Sequence, residues 1–322
     1  MAGPWEQFTK LYTIDKELLD FTELLVKSGI KPFSSYTLDE ARKTFLNFCV
    51  TAAGDVKFDG HVSEITVPSP DAKAGIPVSV YKPTKVAATP AILIYFHGGG
   101  LVLFERKCLE TALKKVAMDS GSIILNVEYR LLPDQCSGYG PFNDGVTVTK
   151  WVLENKQKVG GQPGSKVGVG GDSSGGQIAI SVTNDVQCLA FQVLIYPQCD
   201  TGLKKPSVTE FAACPILPAP DLNWFINLVS KDLPNQDTDP RVCPLARTNL
   251  KTSPPTLILI AEIDPLRDGA VAFSEMLKSA GVDVTSEKIT GVPHIFFGMC
   301  GVLKTKCAES YCHVVKFIKR FQ

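Results

Sequence analysis

Short, uninterrupted apolar runs recur along this chain of 322 residues, and helix-like patterns lie between most of them. Two clear examples are Ala-Ile-Leu-Ile-Tyr-Phe at residues 91–96 and Thr-Leu-Ile-Leu-Ile-Ala at residues 256–261. A strand with no polar alternation is typical of a parallel sheet whose two faces are both covered. Because such strands alternate with helices over about 200 residues, the sequence predicts an α/β fold with a mostly parallel, doubly wound sheet.

The pattern predicts eight strands and five flanking helices after residue 60. The predicted strands are 61–67, 76–81, 91–96, 122–127, 166–170, 189–196, 256–261 and 283–289. The predicted helices are 107–120, 143–156, 175–184, 269–280 and 306–321. Large α/β enzymes often use 250 or more residues for one domain, so we expect residues 1–322 to form a single domain with insertions.

Two helix patterns precede the first predicted strand. Gly29 and Pro32 end the first, and Thr37 with Glu40 forms a capping box for the second. The apolar stripes are Leu11, Ile14, Leu18, Phe21 and Leu25 in the first helix and Leu38, Ala41, Phe45 and Phe48 in the second. These helices could form a lid or simply add packing to the core.

The alternation of strands and helices lapses between residues 200 and 255, where proline is frequent and a helix pattern covers 221–230. We expect an insertion that covers the edge of the sheet where the strands' carboxyl ends lie, because open α/β sheets bind ligands there. Phe211, Trp224 and Phe225 of this insertion could line a substrate pocket, or they could form the insertion's own core.

Charge and cysteine usage exclude several classes of function. Lys plus Arg number 33, as do Asp plus Glu, so no net charge attracts a nucleic acid or an anionic membrane. The ten cysteines form no Cys-x-x-Cys pair, so we expect no metal and no cofactor. No apolar run approaches the ~18 residues of a membrane helix and the first residues do not resemble a signal peptide, which predicts a cytoplasmic protein.

The segment Gly-Asp-Ser-Ser-Gly-Gly at residues 171–176 lies between a predicted strand and a predicted helix. Ser173 is centred in the frame Gly-x-Ser-x-Gly, where a nucleophile on a strand-to-helix turn has a strained backbone and needs small neighbours. Gly171 and Gly175 are those neighbours. A phosphate-binding loop is the rival interpretation, but the glycine spacing fits neither common phosphate motif. We therefore predict that Ser173 is a nucleophile.

The segment His97-Gly98-Gly99-Gly100 directly follows the predicted strand 91–96. Glycines let backbone N–H groups come close to the negative oxygen of a tetrahedral intermediate. An HGGG turn before a Gly-x-Ser-x-Gly turn is the arrangement of lipases and esterases. We predict that the N–H groups of Gly98, Gly99 and Ser174 form an oxyanion hole. His97 could instead be a general base, although its position favours bracing the turn.

A serine hydroxyl is a weak nucleophile at neutral pH and needs a base. The chain has four histidines, and in this order of motifs the base follows the serine. His294 fits, because it comes shortly after the last predicted strand. His313 lies within a helix pattern and His61 opens an early strand, so we expect structural or solvated roles for both.

The carboxylate that orients the histidine is expected on the loop after the strand 256–261. Asp264 lies three residues past that strand and can accept a hydrogen bond from the imidazole of His294. Glu262 and Asp268 are rivals on the same loop, and Asp268 better suits a helix N-cap.

This combination of motifs resembles the hormone-sensitive-lipase-type branch of the α/β-hydrolases, which includes arylacetamide deacetylases and carboxylesterases. The matching segments are 96–100, 129–134 (Tyr-Arg-Leu-Leu-Pro-Asp), 171–176, 254–256, 264–268 and 292–294. The resemblance implies an α/β-hydrolase core, a helical cap contributed by residues 1–55 and 200–235, and a catalytic triad of Ser173, Asp264 and His294. This chain departs from the family at Ser174, where alanine is commoner.

We therefore expect a serine carboxylesterase that hydrolyses short to medium acyl esters of neutral small molecules through an acyl-enzyme. An amide hydrolase of the arylacetamide type is one alternative, and a non-catalytic small-molecule-binding protein on the same fold is another. The expected partner is a small-molecule ester, with no nucleic acid and no stable membrane insertion, and the sequence leaves a homodimer open.

Overall fold

Each of the eight predicted strands is present in the computed structural model, which describes residues 4–322. The strands are β1 (Gly60–Val67), β2 (Ile76–Pro83), β3 (Ile92–Phe96), β4 (Ile123–Val127), β5 (Val167–Asp172), β6 (Phe191–Ile195), β7 (Thr256–Ile263) and β8 (Val284–Pro293). They form one sheet in the order β1-β2-β4-β3-β5-β6-β7-β8. Strand β2 pairs antiparallel with β1 and β4, and the other neighbouring pairs are parallel. The mostly parallel eight-stranded sheet is therefore confirmed.

Both faces of the sheet are covered by apolar side chains. Along β3, Ile92, Ile94 and Phe96 join one hydrophobic cluster, whereas Leu93 and Tyr95 join a second cluster. The two sets separate because successive side chains of a strand point to opposite faces. Burial on both faces explains why this strand has no polar alternation.

Helices flank the sheet, and those predicted after residue 60 begin and end within three residues of their predicted positions. They are α1 (Glu6–Thr9), α2 (Lys16–Ser28), α3 (Leu38–Ala53), α4 (Glu110–Ser120), α5 (Gly140–Glu154), α6 (Ser174–Asp185), α7 (Pro206–Glu210), α8 (Ala219–Val229), α9 (Arg267–Ser279) and α10 (Lys304–Ile318). The predicted capping box at the start of α3 is confirmed, because Thr37 and Glu40 each accept a backbone N–H of the other. Helix α5 begins earlier than predicted because Pro141 fits its first turn.

The first predicted helix stripe is wrong at its N-terminal end. Leu11 lies outside α2 and is 77% exposed. The helix starts later because the side chain of Asp15 accepts the N–H of Glu17 and caps it. Gly29 ends the helix in the left-handed conformation, as predicted.

Strand β8 ends four residues later than predicted, and this extension matters for the site. Its pairing with β7 contains a register shift between Ala261 and Ile263, after which Ile263 pairs with Pro293. The residues that follow these two, Asp264 and His294, therefore leave the sheet side by side.

Residues 4–55 and 200–235, which we call the cap segments, contact each other. The rings of Phe33 and Trp224 stack with centroids 6.4 Å apart. The backbone N–H of Ser34 donates to the carboxylate of Asp221 over 3.1 Å. The predicted cap also included residues 1–3, which lie outside the described residues. These contacts bring both segments to the sheet edge at which β5 ends.

Candidate active site

Ser173 is at a sharp turn between β5 and α6. Its φ angle is +53°, a conformation that costs a non-glycine residue free energy and is typical of a functional constraint. A Cβ at Gly175 would overlap the backbone oxygen of Phe96, and one at Gly171 would overlap the backbone of Gly175. The turn can therefore form only with glycine at both positions, as the sequence indicates.

Three side chains from separate loops form one hydrogen-bonded line. His294 Nε2 lies 2.9 Å from Ser173 Oγ, and His294 Nδ1 lies 2.7 Å from Asp264 Oδ2. The other carboxylate oxygen of Asp264 accepts the N–H of Leu266 over 2.8 Å, which fixes its orientation. All three groups are buried. A carboxylate, an imidazole and a hydroxyl in this order can pass a proton from serine to histidine.

The rival carboxylates on the same loop are engaged elsewhere. Glu262 accepts the N–H of Gly291 over 2.9 Å. Asp268 accepts the N–H of Ser207 over 2.9 Å and pairs with Arg267. Neither carboxylate is bonded to His294.

His97 braces the glycine turn. Its Nδ1 lies 2.7 Å from the carbonyl oxygen of Gly98, and its ring stacks on Tyr129 with centroids 4.4 Å apart. Burial lowers the pKa of His97. His61 is exposed, and His313 is half-buried, with its Nδ1 3.7 Å from the carboxylate of Glu287. His294 is thus the histidine beside Ser173.

One of the three N–H groups of the predicted oxyanion hole already has an acceptor in the structure. The N–H of Gly98 donates to Asp172 Oδ1 over 3.0 Å, so this donor is already used. Gly99 and Gly100 border the cavity beside Ser173, and no acceptor within residues 4–322 takes their N–H groups. Both have positive φ angles, +116° and +61°. The sequence could not show which glycine points its N–H inward, because that depends on the distant Asp172 side chain.

Ser174 holds the glycine turn from the other side. Its Oγ accepts the N–H of Leu101 over 3.2 Å, a bond that the commoner alanine could not make. Its own backbone N–H is in the first turn of α6, where helix N–H groups have no intrahelical partner.

Asp172 is a buried carboxylate next to the serine. Burial raises its pKa to about 6, although hydrogen bonds from Tyr95 and the Gly98 N–H and the nearby His294 oppose the shift. The Tyr95 hydroxyl donates to it over 3.2 Å. Asp172 therefore ties β3 and the glycine turn to the serine turn.

A cavity opens beside Ser173. It is lined by Phe33, Gly99, Gly100, Phe104, Asp172, Ser173, Gln198, Ile216, Leu217, Leu222, Phe225, Ile226, Leu266, His294 and Ile295. Most of these residues lie in loops and cap segments. No sequence motif marks those that come from the cap segments. No Lys or Arg is among this described lining, so the cavity offers no cation to an anionic ligand.

One of the three aromatic residues predicted to bind substrate lines this cavity. Phe225 does, whereas Trp224 lies behind it with ring centroids 5.1 Å apart. Phe211 is fully buried against Phe8 and Tyr12. For Trp224 and Phe211 the structure therefore favours the other alternative, packing within the insertion, because side-chain direction in an irregular insertion does not follow a sequence period.

Within residues 4–322, no group of three His, Cys, Asp or Glu side chains is placed to hold a metal ion. In the same part of the chain, no helix has both the length and the apolar character needed to cross a membrane.

The fold and the site together define a class of protein. A family described as having the alpha/beta hydrolase fold matches residues 93–298, which is more than half of the sequence. The chain belongs to this alpha/beta hydrolase family.

Two individual relatives show which branch of this family the chain resembles. Ethyl acetate hydrolase of Pseudomonas putida is 31% identical over 293 residues, which cover 87% of this chain and 91% of that protein. Carboxylesterase NlhH of Mycobacterium tuberculosis is 34% identical over 221 residues, which cover 66% of this chain and 69% of that protein. The resemblance to the hormone-sensitive-lipase-type branch is therefore confirmed.

Solved structures share the architecture over nearly the whole chain. The ester hydrolase EH1AB1 from the metagenome of Lake Arreo, complexed with a bipyridine phosphonate derivative, has a TM-score of 0.87 at 26% identity and covers 96% of this chain and 99% of its own. A hyperthermophilic esterase from Pyrobaculum calidifontis has a TM-score of 0.85 at 27% identity, with 95% and 98% covered.

Proposed function

We propose that this protein is a serine carboxylesterase, with Ser173 as nucleophile, His294 as general base and Asp264 as the carboxylate that orients the histidine. The observation that carries the proposal is the hydrogen-bonded line from Asp264 through His294 to Ser173, which ends in an apolar cavity. The names of the relatives, ethyl acetate hydrolase and carboxylesterase, support ester cleavage.

The proposed reaction has two halves. His294 Nε2 takes the proton of Ser173 Oγ as that oxygen attacks the ester carbonyl, and the C=O bond becomes a C–O⁻. When the tetrahedral intermediate collapses, the C–O bond to the alcohol breaks and His294 gives its proton to the alcohol. Water then attacks the acyl-enzyme with the same base, and the acid leaves Ser173.

We propose that the negative oxygen of each intermediate is held by the N–H groups of Gly99, Gly100 and Ser174. Three points support this set: Gly99 and Gly100 border the cavity, their N–H groups have no acceptor within residues 4–322, and Ser174 begins α6. Donors that are fixed before the reaction stabilise charge without reorganisation.

The lining of the cavity supports the proposal that the substrates are neutral esters with short to medium acyl groups. Its wall is largely Phe, Leu and Ile side chains, and the described lining has no Lys or Arg to pair with an anion. We propose that the cap segments supply one side of this wall through Phe33 and Phe225. The cytoplasmic location and the homodimer considered from the sequence stay predictions.

The two alternatives are less well supported. The names of the relatives favour ester over amide hydrolysis. A binding protein without catalysis would not need His294 bonded to Ser173 at 2.9 Å with Asp264 behind it.

The test is Ser173→Ala assayed with p-nitrophenyl butyrate. We expect turnover to fall by about three orders of magnitude or more. The matched control is Ser181→Ala on α6, another buried serine, whose Oγ has no hydrogen-bond partner in the described structure. Near-normal turnover of the Ser173→Ala variant would disprove the proposal.

A further inference from the structure

The cavity contains one polar side chain that the proposed reaction does not use. Of the polar lining residues, Ser173 and His294 bond to each other, and Asp172 accepts bonds from Tyr95 and Gly98. Gln198 also lines the cavity, and its carboxamide has no hydrogen-bond partner within residues 4–322.

The backbone holds Gln198 in a fixed position relative to the nucleophile. The residue follows β6, and its N–H donates to the carbonyl oxygen of Ser173 over 3.0 Å. Its side chain is half-buried, whereas its neighbours Cys199 and Asp200 are buried. Asp200 has a structural role, since it accepts the N–H groups of Lys204 and Lys205. Among the described residues, no comparable structural contact involves the Gln198 side chain.

Two other glutamines near the sheet have structural roles, because their side chains donate hydrogen bonds within the protein. Gln177 donates to the carbonyl oxygen of Val242, and Gln192 donates to Thr256 Oγ1 over 2.8 Å. Both are buried and both have a protein partner. Gln198 differs, because it lines the cavity and its carboxamide has no protein partner within residues 4–322.

We propose that Gln198 determines specificity by hydrogen bonding to a neutral oxygen of the substrate, so that the preferred esters carry a carbonyl, hydroxyl or ether group besides the ester itself. This inference rests on the proposed esterase function. A hydrocarbon substrate would displace water from the carboxamide and leave it unpaired in an apolar cavity, which is unfavourable. A substrate that places an oxygen beside the Gln198 carboxamide accepts its N–H hydrogen bond.

The test compares matched pairs of esters that differ by one group. The acyl pair is p-nitrophenyl 5-oxohexanoate and p-nitrophenyl hexanoate, and the alcohol pair is 2-ethoxyethyl butyrate and pentyl butyrate. We expect the wild-type protein to favour the oxygenated member of one pair by about five- to 100-fold in kcat/KM, after correction for spontaneous hydrolysis.

Gln198→Met, which keeps the length and removes the polar group, should bring that ratio to within about twofold of one while the hydrocarbon ester is hydrolysed at least as fast as before. The control is Ile216→Val, which changes the volume of the lining without changing its polarity and should keep the ratio. A wild-type ratio near one in both pairs, or a ratio that survives Gln198→Met, would overturn the inference.

Measurements of ester binding test the role of Gln198 independently of the esterase proposal. In a Ser173→Ala background, dissociation constants for the same esters should show the same preference, and Gln198→Met should remove it. Hydrolysis of both esters without preference leaves the esterase function standing and refutes the role of Gln198. Preferential binding without hydrolysis by the wild type supports Gln198 and refutes the esterase.

Discussion

The guanidinium of Arg42 forms a two-pronged ion pair with the carboxylate of Asp134, with both N–O distances 2.7 Å. Arg42 lies on α3, within a cap segment, and its Nε donates to the carbonyl oxygen of Val102 over 2.9 Å. It also donates to the carbonyl oxygen of Leu132. Because the N–H of Val102 donates to the carbonyl oxygen of Gly99 over 3.1 Å, this one side chain connects the cap segment to the glycine turn.

We therefore predict that Arg42→Ala lowers kcat on p-nitrophenyl butyrate by about ten- to 100-fold, because the glycine turn loses its brace. It should also lower the free energy of unfolding by about 1–3 kcal/mol. Arg42→Lys should recover little, because an ammonium cannot make the two-pronged pair.

The control is Lys43→Ala, an exposed neighbour on the same helix. Steady-state kinetics and urea denaturation of the three variants provide the measurements. A variant at Arg42 that loses stability but keeps its kcat would show that the ion pair only holds the cap in place.

This ion pair also shows what the sequence could not predict. The strands follow from local apolar runs, and Ser173, Asp264 and His294 are each marked by their position after a predicted strand. Arg42 and Asp134 are 92 residues apart, and neither has a neighbour that marks the pair. Their pairing depends on how the cap segment packs on the core.

The same reasoning applies to the glycine turn. The motif shows that the turn carries N–H donors, but three glycines in a row are equivalent in sequence. Only the side chain of Asp172, 74 residues away, uses the N–H of Gly98 and leaves those of Gly99 and Gly100 free. This bond is the reason that the proposed set has Gly100 in place of Gly98 of the predicted set Gly98, Gly99 and Ser174.

The raised pKa of Asp172 predicts a pH-dependent stability. Its pKa is about 6 in the fold and 3.8 in a model peptide. Between these two values the unfolded chain ionises and the folded chain does not, so the favourable contribution present below pH 4 is lost as pH rises through 6. Relative to Asp172→Asn, the wild-type free energy of unfolding should fall by roughly 2 kcal/mol from pH 4 to 7.

Urea denaturation of both proteins across this range measures the difference, in which the contributions of other groups cancel. Tyr95→Phe serves as the comparison, since it removes a hydrogen bond that lowers the pKa of Asp172 and should extend the loss to higher pH. A difference that does not change with pH, or one that rises, would contradict the shift.

Gly100→Ala should impair catalysis through two separate effects. An alanine at φ +61° is strained, and its Cβ would overlap the ring of Phe225. Since the N–H of Gly100 is a proposed oxyanion donor, its displacement should lower kcat on p-nitrophenyl butyrate by about 10²–10³-fold.

Gly138→Ala is the matched control, because Gly138 has φ +54° with nothing within 4 Å of an added Cβ. It should cost only about 1–2 kcal/mol of stability and leave kcat unchanged. The double variant Gly100→Ala/Phe225→Ala removes the overlap and should recover part of the activity. No recovery would mean that backbone strain alone accounts for the loss.

Two phenylalanines of the insertion, Phe225 and Phe211, should have different effects when each is replaced by alanine. Phe225 lines the cavity, so Phe225→Ala enlarges the cavity and should move the preferred acyl length on p-nitrophenyl esters to chains about two or more carbons longer. Phe211 is fully buried and packs on Phe8 and Tyr12, with the Arg267 guanidinium over its ring. Phe211→Ala should therefore cost about 3–5 kcal/mol of unfolding free energy and leave the chain-length preference as it is.

The measurement is kcat/KM across p-nitrophenyl esters from acetate to decanoate, together with the midpoint of thermal unfolding. Each variant removes one phenyl ring from the insertion, so a difference between their chain-length preferences reflects where each ring lies. If Phe211→Ala shifted the chain-length preference as Phe225→Ala does, the bound substrate would have to reach beyond Phe225 into the core of the insertion. The cavity beside Ser173 would then be larger during catalysis than in this structure.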